Sequence, residues 1–107
     1  MRVERGIRLT LYMNPDDPIE LPINGVLDLH TFHPGDIKDL VPDYLSACMD
    51  QGIFDVRIIH GKGMGVQRRK LHSILSRIPE VASHRTADLD GGSWGATLVK
   101  LASVKKE

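Results

Sequence analysis

The chain is short of four things, and each shortage excludes something. Its only cysteine is Cys48, so no internal disulfide can form, which suits a reducing compartment. It has no net charge, with 14 basic and 14 acidic residues, so the total alone does not argue for a polyanionic partner. It has no long apolar run. Met1 to Asn14 mixes Arg2, Glu4, Arg5 and Arg8 among its apolar residues, which fits neither a signal peptide nor a bilayer span, and a cytoplasmic protein is expected. Aromatic residues are few: Tyr12, Phe32, Tyr44, Phe54 and Trp94.

What is present is ordinary for one globular domain with a modest core, at 107 residues. The charges, however, are segregated. From Asp16 to Asp55 there are nine acidic residues against Lys38 alone, whereas Arg57 to Arg77 holds six basic residues and no acidic one. A neutral total thus hides a local basic patch, the footprint expected of a polyanion-binding region. A basic helix paired with an acidic one inside the fold would produce the same segregation.

The basic patch contains the most informative stretch, Val56 to Gly65, V-R-I-I-H-G-K-G-M-G. Val56, Ile58 and Ile59 read as a strand. His60 follows, then Gly61, Gly63 and Gly65 at every second position with Lys62 among them, and a helical pattern opens directly afterwards. Strand, glycine-rich turn and helix together expose backbone N–H groups that can meet an anion. Arg68, Arg69 and Lys70 crowd the first turns of that helix, where the macrodipole disfavours cations unless a phosphate is near. The helical wheel puts Lys70 nearest the core and Arg69 towards solvent. The pattern is neither a Walker A loop, because Gly63 follows Lys62, nor a dinucleotide fingerprint, because position 66 is Val66.

Read in order, residues 1–25 form an extension expected to pack on the main domain, with a strand at Gly6 to Tyr12, a turn at Asn14 to Pro18 and an extended piece at Leu21 to Asn24. Residues 26–101 form the domain, and 102–107 a charged tail. Val26 to His30 reads as a strand with Leu27 and Leu29 on one face and Asp28 and His30 on the other. A helix follows from Asp36 to Gln51, with Ile37, Leu40, Val41, Tyr44, Leu45 and Cys48 as its apolar stripe, Asp36 as N-cap and Gly52 as terminator. Pro42 must either kink this helix or start its regular part. Cys48 lies on the stripe and reads as a buried thiol. The second helix is expected over Val66 to Ile78, and further strands over Val81 to Ala87 and Trp94 to Leu101.

The order βαβαββ predicts an α/β two-layer sandwich on a mixed four-stranded sheet, with the first three strands running the same way and the fourth against them. The carboxyl ends of the first two strands then share an edge with the start of the last. His30, His60 and the Gly92 to Gly95 loop converge where open α/β sheets bind ligands. Phe32 and Trp94 lie in those loops, as bases' stacking partners or as local packing.

Three of these segments, L-D-L-H (Leu27 to His30), H-G-K-G (His60 to Gly63) and G-A-T-L-V (Gly95 to Val99), resemble the signatures of the Smr, or small MutS-related, domain over roughly residues 26–101. They occur in that family's order and at suitable spacing. The chain departs from the pattern at Thr31, where glycine often follows L-D-L-H, and at Ser93, the second position of a usual G-G-x-G. The resemblance implies a fold similar to the C-terminal domain of a bacterial translation initiation factor. It also implies nicking or endonuclease activity on DNA or RNA. With no ATPase or clamp region in the sequence, the chain looks like a stand-alone Smr protein.

Phosphodiester hydrolysis needs an activated oxygen nucleophile, a proton donor for the leaving oxygen and positive charge at the transition state. Asp28 is a candidate base or orienting group for His30, and His30 and His60 are candidate proton shuttles. Lys62, with the N–H groups of Gly61 to Gly65, is the candidate phosphate grip. Arg68, Gly92, Trp94, Gly95 and, more weakly, Thr97 complete the nucleic-acid-binding set. His30-x-x-His33 is a spacing zinc can use, but no second carboxylate lies in the signatures. A divalent metal is therefore left open and is not required. Two other readings use the same edge: a non-catalytic nucleic-acid-binding module and a small-molecule phosphate or nucleotide site. The sequence does not choose between DNA and RNA.

Overall fold

A computed structural model of the chain describes residues 2–5, 8–12, 16, 18–29, 32, 34–60, 66–86 and 95–102. Its elements in order are strands β1 (Arg2–Arg5), β2 (Arg8–Tyr12), β3 (Ile19–Pro22) and β4 (Val26–Asp28), helix α1 (Pro34–Asp50), strand β5 (Asp55–Ile59), helix α2 (Val66–Leu75), and strands β6 (Val81–Thr86) and β7 (Ala96–Leu101). From β4 onward this is the expected βαβαββ order. The four-stranded sheet has the order β4-β5-β7-β6. β4 pairs parallel with β5, while β7 pairs antiparallel with both β5 and β6. Three strands thus run one way and β7 returns between two of them, so the α2 crossover passes over β7 on its way to β6.

Alternation decides which face is covered. Leu27, Val56, Ile58, Val99 and Leu101 point to the helices, where they join Ile37, Leu40, Val41, Tyr44 and Leu45 of α1 and Leu71, Ile74 and Leu75 of α2 in one buried cluster. Cys48 is fully buried in the same cluster, and burial raises its thiol pKa, which makes it an inert packing residue.

Several boundaries differ from the sequence reading. Helix α1 starts at Pro34, two residues before the expected N-cap, so Asp36 belongs to its first turn instead. Proline suits a first helical position because it has no N–H to leave unpaired. The helix runs through Pro42 without interruption. It ends as expected at Gly52, whose φ of 78° needs glycine. There the Gly52 N–H donates to the Met49 carbonyl at 3.0 Å and the Ile53 N–H to the Cys48 carbonyl at 2.8 Å, a Schellman closure. Helix α2 stops at Leu75, three residues early. Ser76 and Arg77 continue only as a turn, with the Arg77 N–H on the Ile74 carbonyl and the Ile78 N–H on the Leu75 carbonyl. Strand β4 ends at Asp28, and β7 begins at Ala96 and not at Trp94. Ala87 and Trp94 lie outside the described residues.

Residues 1–25 hold more than the single strand expected. β1, β2 and β3 form an antiparallel three-stranded sheet. Leu9 of β2 is fully buried in the main cluster, with Leu21 and Ile23 packed against it. The turn that leads from this sheet into β4 is held by Tyr44. The buried Tyr44 hydroxyl accepts the Gly25 N–H at 3.2 Å and donates to the Val26 carbonyl at 3.0 Å. Gly25 has φ 91°, and a Cβ there would sit 3.3 Å from the Asp55 carbonyl oxygen. Burial is the main reason the Tyr44 pKa rises to about 12, so its hydroxyl stays a donor throughout the neutral range. Tyr44→Phe removes the acceptor of the buried Gly25 N–H and the donor to the part-buried Val26 carbonyl. It should lower stability by about 1–3 kcal/mol in chemical denaturation. An unchanged denaturation midpoint would show that water replaces the hydroxyl there.

Candidate active site

The carboxyl ends of β4 and β5 and the start of β7 meet at one edge. Asp28 pairs with Ile59, and Ile59 with Ala96. Beyond the strands, the Leu29 N–H donates to the Ile59 carbonyl and the His60 N–H to the Gly95 carbonyl, both at 2.8 Å. His60, Gly95 and Asp28 are therefore within one strand spacing of the same edge. His30, Gly61, Lys62, Gly63, Gly65, Gly92 and Trp94 lie outside the described residues.

The two candidate acid–base residues that are described do not share a face. Asp28 is exposed and alternates with Leu27, so it belongs to the open face, away from the helices. His60 continues the series Val56, Ile58 towards the helices, and its side chain is 95 % buried, at 5 % exposure. The strand parity that sets Asp28 opposite Ile59 separates it from His60. The two can serve one substrate only around the end of the sheet. Asp28 shares the open face with a concavity of about 530 Å³ lined by Val26, Arg57, Arg85, Leu98 and Lys100 among others. The Lys100–Asp55 ion pair there, 3.2 Å long, is exposed at both ends and contributes little to stability.

His60 is held from below. Its Nε2 lies 2.9 Å from Oγ1 of Thr97, which is fully buried on β7. The same oxygen lies 2.9 Å from Nε2 of His72 on α2. The His72 ring in turn packs against His84 of β6, with centroids 4.8 Å apart and planes tilted by 60°. Among the described residues, the buried Nδ1 of His84 has no hydrogen-bond partner. Thr97, expected in the nucleic-acid-binding set, is thus a fully buried bridge between two imidazoles that a nucleic acid cannot touch.

Neither His72 nor His84 stands out in the sequence. The signals were weak: His72 lies four residues after Arg68 on the flank of the buried stripe, and His84 alternates inward on β6. The helix wheel misplaced Lys70 but not Arg69, which is exposed as expected. Arg68 is half-buried, and Lys70 and Arg69 are exposed. Arg68 lies three residues before Leu71, which puts it, and not Lys70, on the core side. Phe32 is buried in the core at 6 % exposure and cannot stack on a base. Among the described residues no three His, Cys, Asp or Glu side chains gather as a metal site, and no described helix is long and apolar enough to cross a membrane.

The His72 pKa is lowered, first by burial and then by the neighbouring charges of His84, His60 and Arg68. A depressed histidine is more readily protonated in the unfolded chain. Its contribution to stability is therefore present above about pH 6.5 and is lost as pH falls from there through the folded-state value. His72→Gln should flatten that acid dependence in a stability–pH series. Parallel curves for the two proteins would place the dependence elsewhere.

Comparison with known proteins gives a consistent neighbourhood. The family model described as the Smr domain matches residues 27–102. Endonuclease MutS2 of Halothermothrix orenii is 31% identical over 81 residues, 76% of this chain and 10% of that protein. Endonuclease MutS2 of Clostridium novyi is 46% identical over 55 residues, 51% of this chain and 7% of that protein. The chain thus spans a tenth or less of the length of these curated relatives. Among solved structures, the Smr domain of Thermus thermophilus MutS2 superposes with a TM-score of 0.69 at 28% identity, covering 74% of this chain and 99% of that one. YdaL, a stand-alone small MutS-related protein from Escherichia coli, gives 0.66 at 25% identity, covering 72% of this chain and 63% of that one.

Proposed function

Because the chain belongs to the Smr domain family, we propose that the carboxyl edge of its sheet binds a nucleic-acid backbone and hydrolyses phosphodiester bonds in structured DNA or RNA. The observation that carries this reading is His60. A histidine sits at the edge on a fixed backbone, bonded through its N–H to Gly95, with its ring tied to Thr97. A preorganised imidazole at a ligand-binding edge is suited to moving a proton near neutral pH.

Around it the reading assigns the remaining roles. Lys62 and the N–H groups of Gly61 to Gly65, at the start of α2, hold phosphate oxygens. Arg68 adds positive field from the first turn, and Gly92, Trp94 and Gly95 complete the nucleic-acid-binding set. Asp28 serves the same phosphate from the open face, where Arg57, Arg85 and Lys100 give a polyanion further cations to approach, and His30 is the second candidate proton shuttle. MutS2 relatives named endonucleases support hydrolysis over binding alone, and a cytoplasmic location is part of the same proposal.

One observation favours the second reading, a binding module without catalysis. Asp28 and His60 project to opposite faces, which is an awkward layout for an acid–base pair. Both readings share the phosphate grip, which a salt series tests. Lys62→Ala should weaken binding and reduce the slope of log affinity against log salt by about 0.9 on duplex or 0.7 on single strands, the loss of one contact. Arg69→Ala, which is exposed, should change both less. A Lys62→Ala slope equal to wild type would show that the turn does not grip phosphate.

A further inference from the structure

The bridge at Thr97 restricts the protons of two histidines at once. A hydroxyl has one proton to donate and two lone pairs to accept with. Among the described residues, Thr97 Oγ1 has His60 Nε2 and His72 Nε2 as its hydrogen-bond partners, each at 2.9 Å, in a position with no exposure. If both nitrogens carried protons, the hydroxyl proton would be buried without an acceptor. If both were bare, one would face an oxygen lone pair at hydrogen-bond distance. Each arrangement leaves a buried polar group unsatisfied, and buried polar groups are paired in the great majority of cases. We infer that Thr97 holds His60 and His72 in opposite protonation states at Nε2, so that His72 is a positioning residue that sets whether His60 offers the sheet edge a proton or a lone pair at Nδ1.

The consequence follows proton by proton. When His72 is an imidazolium, its Nε2–H donates to Thr97, and Thr97 donates to a bare His60 Nε2. A neutral His60 then carries its proton on Nδ1 and can give it away. As that proton leaves for a leaving-group oxygen, His60 Nε2 takes the Thr97 hydroxyl proton. Thr97 in turn takes the Nε2 proton of His72. His72 ends neutral with its proton on Nδ1, and His60 ends neutral with its proton on Nε2 and a bare Nδ1, ready to act as base. One proton leaves, one positive charge leaves His72, and no bond is left unbalanced. The groups facing His72 are His84 from β6, His60 beyond the bridge and Arg68 one turn earlier on α2. All three, with burial, favour its neutral form, and the neutral tautomer with its proton on Nδ1 is the one that leaves His60 base-ready.

The role at Nδ1 rests on the reading of His60 as the acid–base group, whereas the opposite protonation does not. The two are tested separately. In the full chain with ¹⁵N-labelled histidine, the imidazole nitrogens of His60 and His72 report directly which position is protonated. The expected wild-type spectrum at neutral pH shows one Nε2 protonated and the other bare. Thr97→Val should abolish the opposition, and Thr97→Ser, which keeps the hydroxyl, should restore it. The same Nε2 state in both rings of the wild type would overturn the inference without any variant. For the positioning role, His72→Gln should shift the acid limb of the pH profile for cleavage and reduce its maximum by about tenfold. A profile unmoved in both position and height would break the link from His72 to His60. Opposite states in the spectrum of a protein that does not cleave would retain the bridge and reject the hydrolytic reading alone.

Discussion

His60→Ala is expected to lower phosphodiester cleavage by about 10²-fold or more while changing nucleic-acid affinity only a fewfold. The magnitude is that of a lost acid–base group. The asymmetry follows from where His60 sits. Its ring is 95 % buried, at 5 % exposure, and is tied to Thr97, so it contributes little charge or area to a backbone sliding over the edge. Its backbone N–H still reaches Gly95 in the variant, so the edge keeps its shape. Asp28→Ala discriminates further. If Asp28 works on the same phosphate from the open face, its loss is comparable; if the open face only steers, its loss is small. Rates and affinities measured on one substrate for all three proteins give the comparison. Equal losses of binding and cleavage in His60→Ala would make it a binding residue.

The second large effect is structural. Leu9→Ala should cost about 2–5 kcal/mol, the range for truncating a fully buried leucine. It lies on β2, in the sheet of residues 2–22 that precedes the Smr match, yet it is part of the cluster that contains Tyr44, Leu45 and Leu71. A loss of that size in denaturant unfolding, with one cooperative transition, would make the N-terminal sheet part of the same folding unit. A loss below about 0.5 kcal/mol, typical of surface positions, would make it a loosely attached extension.

How much of this was legible in the sequence depended on range. Helix α1 was readable because its stripe from Ile37 to Cys48 and its glycine stop at Gly52 are local signals, and only the entry at Pro34 was misplaced. The strand directions were readable because crossovers through helices leave little choice. The insertion of β7 between β5 and β6 was not, because strand order depends on long-range pairing. β1 was missed because R-V-E-R has one apolar residue and pairs only through β2. At the site, three signatures pointed to the edge, but not to the face each residue takes there. Counting parity from Leu27 and from Ile58 separates Asp28 from His60 once the register Asp28 with Ile59 is known. The bridge at Thr97 was beyond reach, since it joins β5, α2 and β7 through side chains 25 and 37 residues apart.

The central claim is that this edge hydrolyses nucleic acid. Its most direct test is incubation of the purified protein with supercoiled plasmid and with structured RNA, with and without chelator, beside His60→Ala purified in the same way. The account predicts nicked plasmid or discrete RNA fragments from the wild type and about 10²-fold less from the variant. Tight binding of both substrates with no cleavage, or equal cleavage by wild type and variant, would contradict it.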